Sequence, residues 1–399
     1  MVRHAVPLGI GGQAVAVLDM ALAVRPEDWA PLLVDVDAVV NCAGVLQDSP
    51  GEDTHRVHAD AAAALFLACE KAAVRRVVHF SAIGVDRAQP SRFSATKLEG
   101  DRALMDRDLE WVILRPSVVL GRPAFGASAL IRGLAALPLL PSMPGTGPLQ
   151  VVQLDDVVAT VVFFLNPNSP SRVALELAGP ERLSMSELAG HYRQWLGWPA
   201  ARQFTLPEWG ARLLYRLGDL AAMLGWRPPM RTNARKEIAR GAVGDPSNWI
   251  TMTGIKPRGL AEALELSPAT VQEKWFAGLY FVKPAIFGVL PFFWIATGII
   301  SLTTGYEGGV ELMRGAGAGW LSGPSVVAGA LADIAIGILI ARRATARVGL
   351  YGAVALSLFY AVAGSILRPD LWNEPLGPLM KILPILVLHV VAVAILRER

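Results

Sequence analysis

Apolar positions follow two regimes along the chain. In the first 283 residues they come in short runs broken by charged and turn residues; from residue 284 they form four long blocks. Residues 37–44 (DAVVNCAG) have the β-branched centre of a buried parallel strand, then small residues where the backbone turns. A helical stretch follows at 59–73. Residues 76–81 (RVVHFS) make a second strand ending on Ser81, residues 94–107 a helix, and residues 111–114 a third strand. Strands alternating with helices of this length predict a doubly wound α/β sheet, and in such sheets ligands sit at the carboxyl ends of the strands. Asn41 to Gly44, Ser81 and Arg115 to Ser117 all fall at such ends.

The later blocks, 284–304, 325–341, 348–367 and 376–396, are apolar on every face. The first and third carry no charge, the second carries Asp333, and the fourth carries Lys381 and His389. About 20 apolar residues cross the hydrocarbon core of a bilayer, so the pattern predicts an α-helical four-transmembrane bundle. Bases alternate between its ends. Lys274 and Lys283, then Arg342, Arg343 and Arg347, then Arg397 and Arg399 share one side; the other loops set Arg314 beside Glu307 and Glu311, and Arg368 beside Asp370 and Glu374. The positive-inside rule then puts both termini in the cytoplasm, with the chain in an inner or cytoplasmic membrane. Ionisable groups at membrane depth are costly and face the bundle interior. Asp333, Lys381 and His389 therefore read either as a proton or quinone-related site, or as a paired carboxylate and a lysine that snorkels to the interface.

Composition sharpens the division: of 71 charged residues, only 14 lie from residue 284 onward. The net charge is +3, with acids and bases interspersed and no basic stripe, which argues against nucleic acid. The two cysteines, Cys42 and Cys69, make neither a disulfide framework nor a CxxC pair, and both read as reduced and buried. The N-terminus lacks the pattern of a signal peptide. His55 and His58, with Glu52, Asp53 and Asp60, have a loosely metal-like spacing but read as a solvated face before a helix; no metal site is expected.

The order NCAG (41–44), FSAIGVD (80–86), FSATK (93–97) and ILRPSVVLG (113–121), followed by VVQLDDVV (151–158), resembles the atypical and extended short-chain dehydrogenase/reductase superfamily. Its nearest flavour is the NAD(P)-binding group related to a complex I accessory subunit. WNEPLGPLMKILP (372–384) resembles a DoxX-like four-helix membrane domain. The resemblance implies an NAD or NADP cofactor, with Asp19 near the adenine and Asn41, Ala43, Gly44, Arg115, Pro116 and Ser117 along the dinucleotide. It implies Ser81 and Lys97 as the catalytic residues, with Ser81 or Ser94 orienting a carbonyl and Lys97 holding the ribose. Asp155 and Asp156 match the family's helix start, where a capping role competes with substrate contact.

Two departures from the family stand out. Its Tyr-x-x-x-Lys pair lies on one helix face; here the spacing is kept as Phe93 and Lys97, and a benzene ring has no proton to donate or take. Lys97 also has a plain reading as part of a solvated helix face. The family opens on a strand, a GxxGxxG turn and a helix that hold the pyrophosphate. Gly9, Gly11 and Gly12 lack that context, and 14–19 aligns with the family's third strand. The Rossmann-like domain is thus expected to be N-terminally incomplete, from a short gene model or a fragment.

The expected division is 1–165 for the Rossmann-like NAD(P)-binding domain, 166–270 for a small substrate or cap region, and 271–399 for the membrane domain. Ser184 to Glu187 reads as a capping box. Residues 209–224 have leucines at helical spacing and Arg212 and Arg216 on another face, so this helix either packs on the nucleotide domain or lies among lipid headgroups. Two functions follow. One is a membrane-anchored oxidoreductase that passes hydride between nicotinamide and a carbonyl or quinone-like acceptor on the cytoplasmic face. The other, favoured by the missing tyrosine, is a non-catalytic nucleotide-binding or scaffold module docking a membrane complex. The partners are the lipid bilayer and, beyond it, a quinone or a membrane protein.

Overall fold

The structure, a computed structural model of the 399-residue chain, describes residues 15–48, 53–375 and 377–396. The chain divides into two compact units. One runs through Asp219 and takes in Pro228–Gly278; the other holds Leu220–Arg227 and the chain from Leu279 onward.

The first unit contains the strands β1 (Ala38–Asn41), β2 (Arg76–Phe80), β3 (Glu110–Pro116), β4 (Val118–Leu120), β5 (Leu139–Ser142), β6 (Val151–Gln153), β7 (Val173–Leu177) and β8 (Arg202–Thr205). Four of them form a parallel sheet in the order β1-β2-β3-β7, while β4 pairs with β6 and β5 with β8, both also parallel. The register sets Val78 opposite Val40 on one side and Val112 on the other. Successive strand residues point to opposite faces, and both faces are covered. Val77 and Ile113 pack with Leu65, Phe66 and Cys69 of the Ala61–Lys71 helix. Val78, Val112 and Leu114 pack with Val157 and Phe164 of the Leu154–Leu165 helix and with Trp249. Burial on both sides is why these strands read as unbroken apolar runs. With helices Ala61–Lys71 and Arg92–Met105 as crossovers between parallel neighbours, the arrangement is Rossmann-like.

The sheet differs from the sequence reading in three places. It crosses the expected boundary at 165/166, because β7 hydrogen-bonds along the free edge of β3 and supplies the fourth strand. Residues 15–19, aligned with a family strand, form no strand; Asp19 turns the chain, with Ala21 N donating to its Oδ1 at 3.1 Å. Cys69 is buried as expected, but Cys42 is exposed: β1 ends on the inward-facing Asn41, and the next side chain points out. Gly9, Gly11, Gly12 and Glu52 lie outside the described residues. Ser184 does form the capping box: Glu187 N donates to Ser184 Oγ (3.2 Å) and Ser184 N to Glu187 Oε2 (2.7 Å), which holds the Glu187 carboxyl below its usual range.

In the second unit the long helices are Val282–Leu302, Ser322–Ala341 and Ala346–Leu367, and among the described residues three helices are long and apolar enough to cross a membrane. The expected fourth span is helical only over the 15 residues Ile382–Leu396. That is about 22 Å at 1.5 Å per residue, because Gly377 and the turns after it hold the preceding segment out of the helix. A further helix, Tyr306–Gly315, occupies the first loop. The unit's core joins Leu290, Trp294, Ile336, Ile340, Leu350, Ala353, Ala392 and Leu396. Small residues let two of its helices approach closely. A Cβ on Gly298 would sit 2.5 Å from Ala330 O, and one on Gly337 2.9 Å from Pro291 O. Gly337→Val should therefore lower the melting temperature of the detergent-solubilised protein, by an overpacking penalty of about 1–3 kcal/mol. An unchanged melting curve would show that this contact does not hold the helices.

Candidate functional site

The carboxyl ends of β1, β2 and β3 meet the Arg92–Met105 helix around Lys97. Its side chain is 4% exposed, and Nζ donates to Ala43 O (3.1 Å) and Phe80 O (2.8 Å), the carbonyls at the ends of β1 and β2. Lys97 is thus no solvated helix face. Burial pushes its pKa down to about 8, against the pull of Asp101 and Cys42.

One helical turn further on, Asp101 is fully buried and collects the polar groups of the neighbouring strand ends. Its Oδ2 accepts from Ser81 Oγ (3.0 Å) and from Arg115 Nη2 (3.0 Å) and Nε (3.2 Å). Burial pushes its carboxyl up, while the Ser81 and Arg115 hydrogen bonds pull it back. Oδ1 faces His79 Nε2 at 3.6 Å, and neither atom has a hydrogen-bond partner among the described residues. Asn41 fixes the tautomer of His79. Its Oδ1 accepts from Ala43 N (3.1 Å), so its amide nitrogen donates to His79 Nδ1 (3.1 Å) and the ring proton sits on Nε2.

His58 is assigned in the same way. Val45 N donates to Nε2 (2.9 Å), so Nδ1 carries the proton and donates to Thr96 Oγ1 (2.9 Å), whose hydroxyl passes on to Arg92 O (2.9 Å). Burial, with the Lys97 charge, pushes its pKa down to about 3. His55, by contrast, is surface-exposed between Asp60 and Glu99. The two histidines face different partners, and among the described residues no group of three or more His, Cys, Asp or Glu side chains could hold a metal ion.

Phe93 is half-buried, with its ring edge-on to His58 at 5.5 Å between centroids. It lines a cleft of about 150 Å³ with Gln47, Asp48, Ser91, Arg92 and Glu237. Glu237, from the Thr232–Arg240 helix, accepts from the hydroxyls of Ser91 and Ser94 and pairs with Arg240 (2.8 Å). Asp48 accepts from Thr54 N (2.8 Å) and pairs with Arg92.

Six of the expected residues, Asn41, Ala43, Gly44, Ser81, Lys97 and Arg115, thus come together, though Ser81 and Arg115 face Asp101 and not the cleft. The others do not join them. Ser117 Oγ donates to Ala242 O (3.0 Å) and Gln150 O, and Pro116 O accepts from Ile83 N (3.2 Å). Asp19 caps its own turn, and Asp156 accepts from Arg258 N (3.2 Å). In the second unit, Tyr360 donates to Asp333 Oδ1 at 3.2 Å. His389 accepts from Trp294 Nε1 (2.9 Å) and so donates from Nδ1 to Ile385 O (2.7 Å). Lys381 is exposed just before the last helix. Sequence reasoning placed His58 on a solvated face, whereas it is buried, and it missed His79, Asp101 and Glu237. The available signal was the stripe Phe93, Lys97, Asp101, which continues the i, i+4 spacing by one turn.

Comparison with known proteins assigns both units. The NAD(P)H-binding family matches residues 1–133, and the DoxX-like family matches residues 291–390. This chain joins an NAD(P)-binding, short-chain dehydrogenase/reductase-like domain to a DoxX-like domain. With the apolar helices, the DoxX-like domain makes it a membrane protein. A curated relative is NADH dehydrogenase (ubiquinone) 1 alpha subcomplex subunit 9, mitochondrial, of Arabidopsis thaliana. It is 27% identical over 223 residues, 52% of this chain and 54% of the relative, so the chain spans about half the relative's length. Solved structures that overlay in part include the Bordetella bronchiseptica enzyme WbmG in complex with NAD and UDP (17% identity, 64% of this chain and 79% of that one, TM-score 0.48). Another is UDP-glucuronic acid 4-epimerase from Bacillus cereus in complex with UDP-glucuronic acid and NAD (18%, 63% and 79%, 0.46).

The NAD(P)-binding domain offers groups that fit the sugar part of a dinucleotide. An ammonium has three protons, and Lys97 directs two of them at Ala43 and Phe80. Gly44 is exposed directly over Nζ: a Cβ there would lie 3.4 Å from it. A hydroxyl approaching over Gly44 would come within reach of Nζ. A bound nicotinamide would supply hydride transfer; Lys97 and Gly44 are the residues that would hold the ribose, and position 93 holds a phenylalanine.

Proposed function

We propose that this chain is a membrane-anchored NAD(P)-binding module that holds the dinucleotide without the carbonyl reduction of its superfamily. One observation carries this reading. The helix position that should present a proton donor to the cleft holds Phe93, whose ring has no proton to give, and the cleft's one lysine, Lys236, comes from a different helix. Ser81 is turned onto Asp101, and the carboxylates of the cleft, Asp48 and Glu237, already accept hydrogen bonds and ion pairs from their neighbours. General acid catalysis contributes typically 10²–10⁴-fold, and its absence leaves binding intact.

The relative named as a subunit of an NADH dehydrogenase supports a docking role in a larger membrane assembly. The basic loops support placing the NAD(P)-binding domain and both ends of the chain on the cytoplasmic side. Titration of the purified full chain with NADH and NADPH, followed by a panel of carbonyl and quinone acceptors, tests the proposal. Saturable binding without turnover is the expected result. Turnover on either acceptor class would return the chain to the oxidoreductases. Gly44→Val, which sets a branched side chain against Lys97 Nζ, should weaken dinucleotide binding about tenfold or more, or at least 1.4 kcal/mol. Unchanged affinity would remove Lys97 and Gly44 from the site.

A further inference from the structure

The Glu208–Met223 helix turns its tryptophan and a row of its leucines outward and buries mostly small residues together with Tyr215. Ala211, Tyr215, Gly218 and Ala222 form the buried stripe, and a Cβ on Gly218 would overlap Met230 O. The outward stripe is Trp209, 70% exposed, with Leu213, Leu217, Leu220 and Leu224. Arg212 and Arg216 run along its edge, both exposed. A helix on the wet surface of a domain shows the reverse pattern, and a contiguous apolar patch with a polar rim marks an interaction surface.

The C-terminal end of this helix belongs to the membrane unit. Trp226 Nε1 donates to Ala341 O (2.8 Å), and its ring packs on Phe287 at 4.6 Å between centroids. Arg343 N donates to Leu224 O (2.9 Å), and its guanidinium lies 5.5 Å over the Trp226 ring. Ala341 ends one long apolar helix and Phe287 lies near the start of another. Arg342, Arg343 and Arg347 sit in the connection that follows Ala341 or just beyond it. Residues 220–227 are therefore fixed at the basic end of the bundle.

We propose that the outward stripe of the Glu208–Met223 helix lies in the headgroup region of a phospholipid leaflet, as an in-plane amphipathic anchor on the basic side of the bundle. Its leucines reach the acyl boundary, Trp209 sits at the interface, and Arg212 and Arg216 extend to lipid phosphates. Lipid is the occupant because the stripe continues into the membrane unit, carries arginines on its rim, and ends at the basic connection, which attracts anionic headgroups.

Site-directed spin labelling of the full chain tests this. In a Cys42→Ser background only the buried Cys69 remains. Leu213→Cys, Leu217→Cys and Leu220→Cys would each be labelled and reconstituted into phosphatidylcholine–phosphatidylglycerol vesicles, so that one poorly inserting variant leaves two. Glu262→Cys, at an exposed polar position, is the aqueous control. The expected result is more frequent collision with oxygen than with a water-soluble nickel chelate at all three leucine positions, with the order inverted at residue 262. Nickel-dominated collision at the leucine positions would mean that the stripe faces water and would overturn the proposal. Exclusion of both reagents, with an immobilised spectrum, would mean that protein covers it, such as a second copy of the chain, and would overturn it equally.

Discussion

Asp101→Ala should destabilise the protein by about 3–5 kcal/mol, the usual result of removing one partner of a buried ion pair. The carboxylate is fully buried and holds Arg115, itself 7% exposed, by two hydrogen bonds and Ser81 by one. Without it, Arg115 keeps Asp86 on its outer side but leaves two buried N–H groups unmatched. Those groups sit at the end of β3, and Ser81 immediately follows β2, so the damage falls on the strand ends that present Phe80 O to Lys97. Denaturant unfolding of the purified full chain would read the loss, and dinucleotide affinity should fall with it. A double variant, Asp101→Leu with Arg115→Met, removes both charges and should recover part of the stability, because the large penalty belongs to the unpaired charge and not to the missing bridge. If Asp101→Ala unfolded at the wild-type midpoint, the network would not be what holds the strand ends. If the double variant were no better than the single, the charge argument would fail while the packing role stood.

The strand ends were legible in the sequence because β1, β2 and β3 are buried on both faces and so stand out as apolar runs with small or polar residues after them. Lys97 was legible because its spacing from Phe93 survives the loss of the tyrosine. The groups that organise the site were not. His79 sits inside an apolar strand and Asp101 inside an ordinary polar helix, and neither position has a local pattern that distinguishes it from solvent-facing chemistry. Their partners lie far along the chain: Asn41 is 38 residues from His79, and Ser81 is 20 from Asp101. Glu237 reaches Ser94 across 143 residues. The same distance effect hid the membrane unit's claim on 220–227, since the indole of Trp226 finds its acceptor 115 residues on. The last span was overestimated for a different reason. Counting apolar residues does not register that the turns around Gly377 delay the helix to Ile382. Side-chain direction was equally out of reach, which is why Ser81 was expected to orient a carbonyl and Ser117 to lie along the dinucleotide, while they are instead turned to Asp101 and to Gln150 and Ala242.

Acidification should destabilise the NAD(P)-binding domain well before its surface carboxylates protonate. An imidazole in the unfolded chain titrates near 6.5. In the folded chain burial and the Lys97 charge push His58 down to about 3, and His79 is driven well below its ordinary value by the same causes together with His58. Between about 3 and 6.5 the unfolded state binds more protons than the folded one, so stability falls as pH falls through that window. Each unit below 6.5 removes about 1.4 kcal/mol per such histidine, or about 2 kcal/mol from His58 alone at pH 5. Two neighbouring groups bear on the net slope. Lys97, at about 8 when folded, is protonated in both states throughout this range and contributes no slope. Asp101 acts in the opposite sense, because burial raises its carboxyl and the folded state takes that proton first. The comparison that isolates His58 is therefore wild type against His58→Gln, whose amide can still accept from Val45 N and donate to Thr96. Unfolding free energies at pH 7.5 and pH 5 should differ by about 2 kcal/mol less in the variant than in the wild type. An equal pH loss in wild type and His58→Gln would assign the acid sensitivity elsewhere.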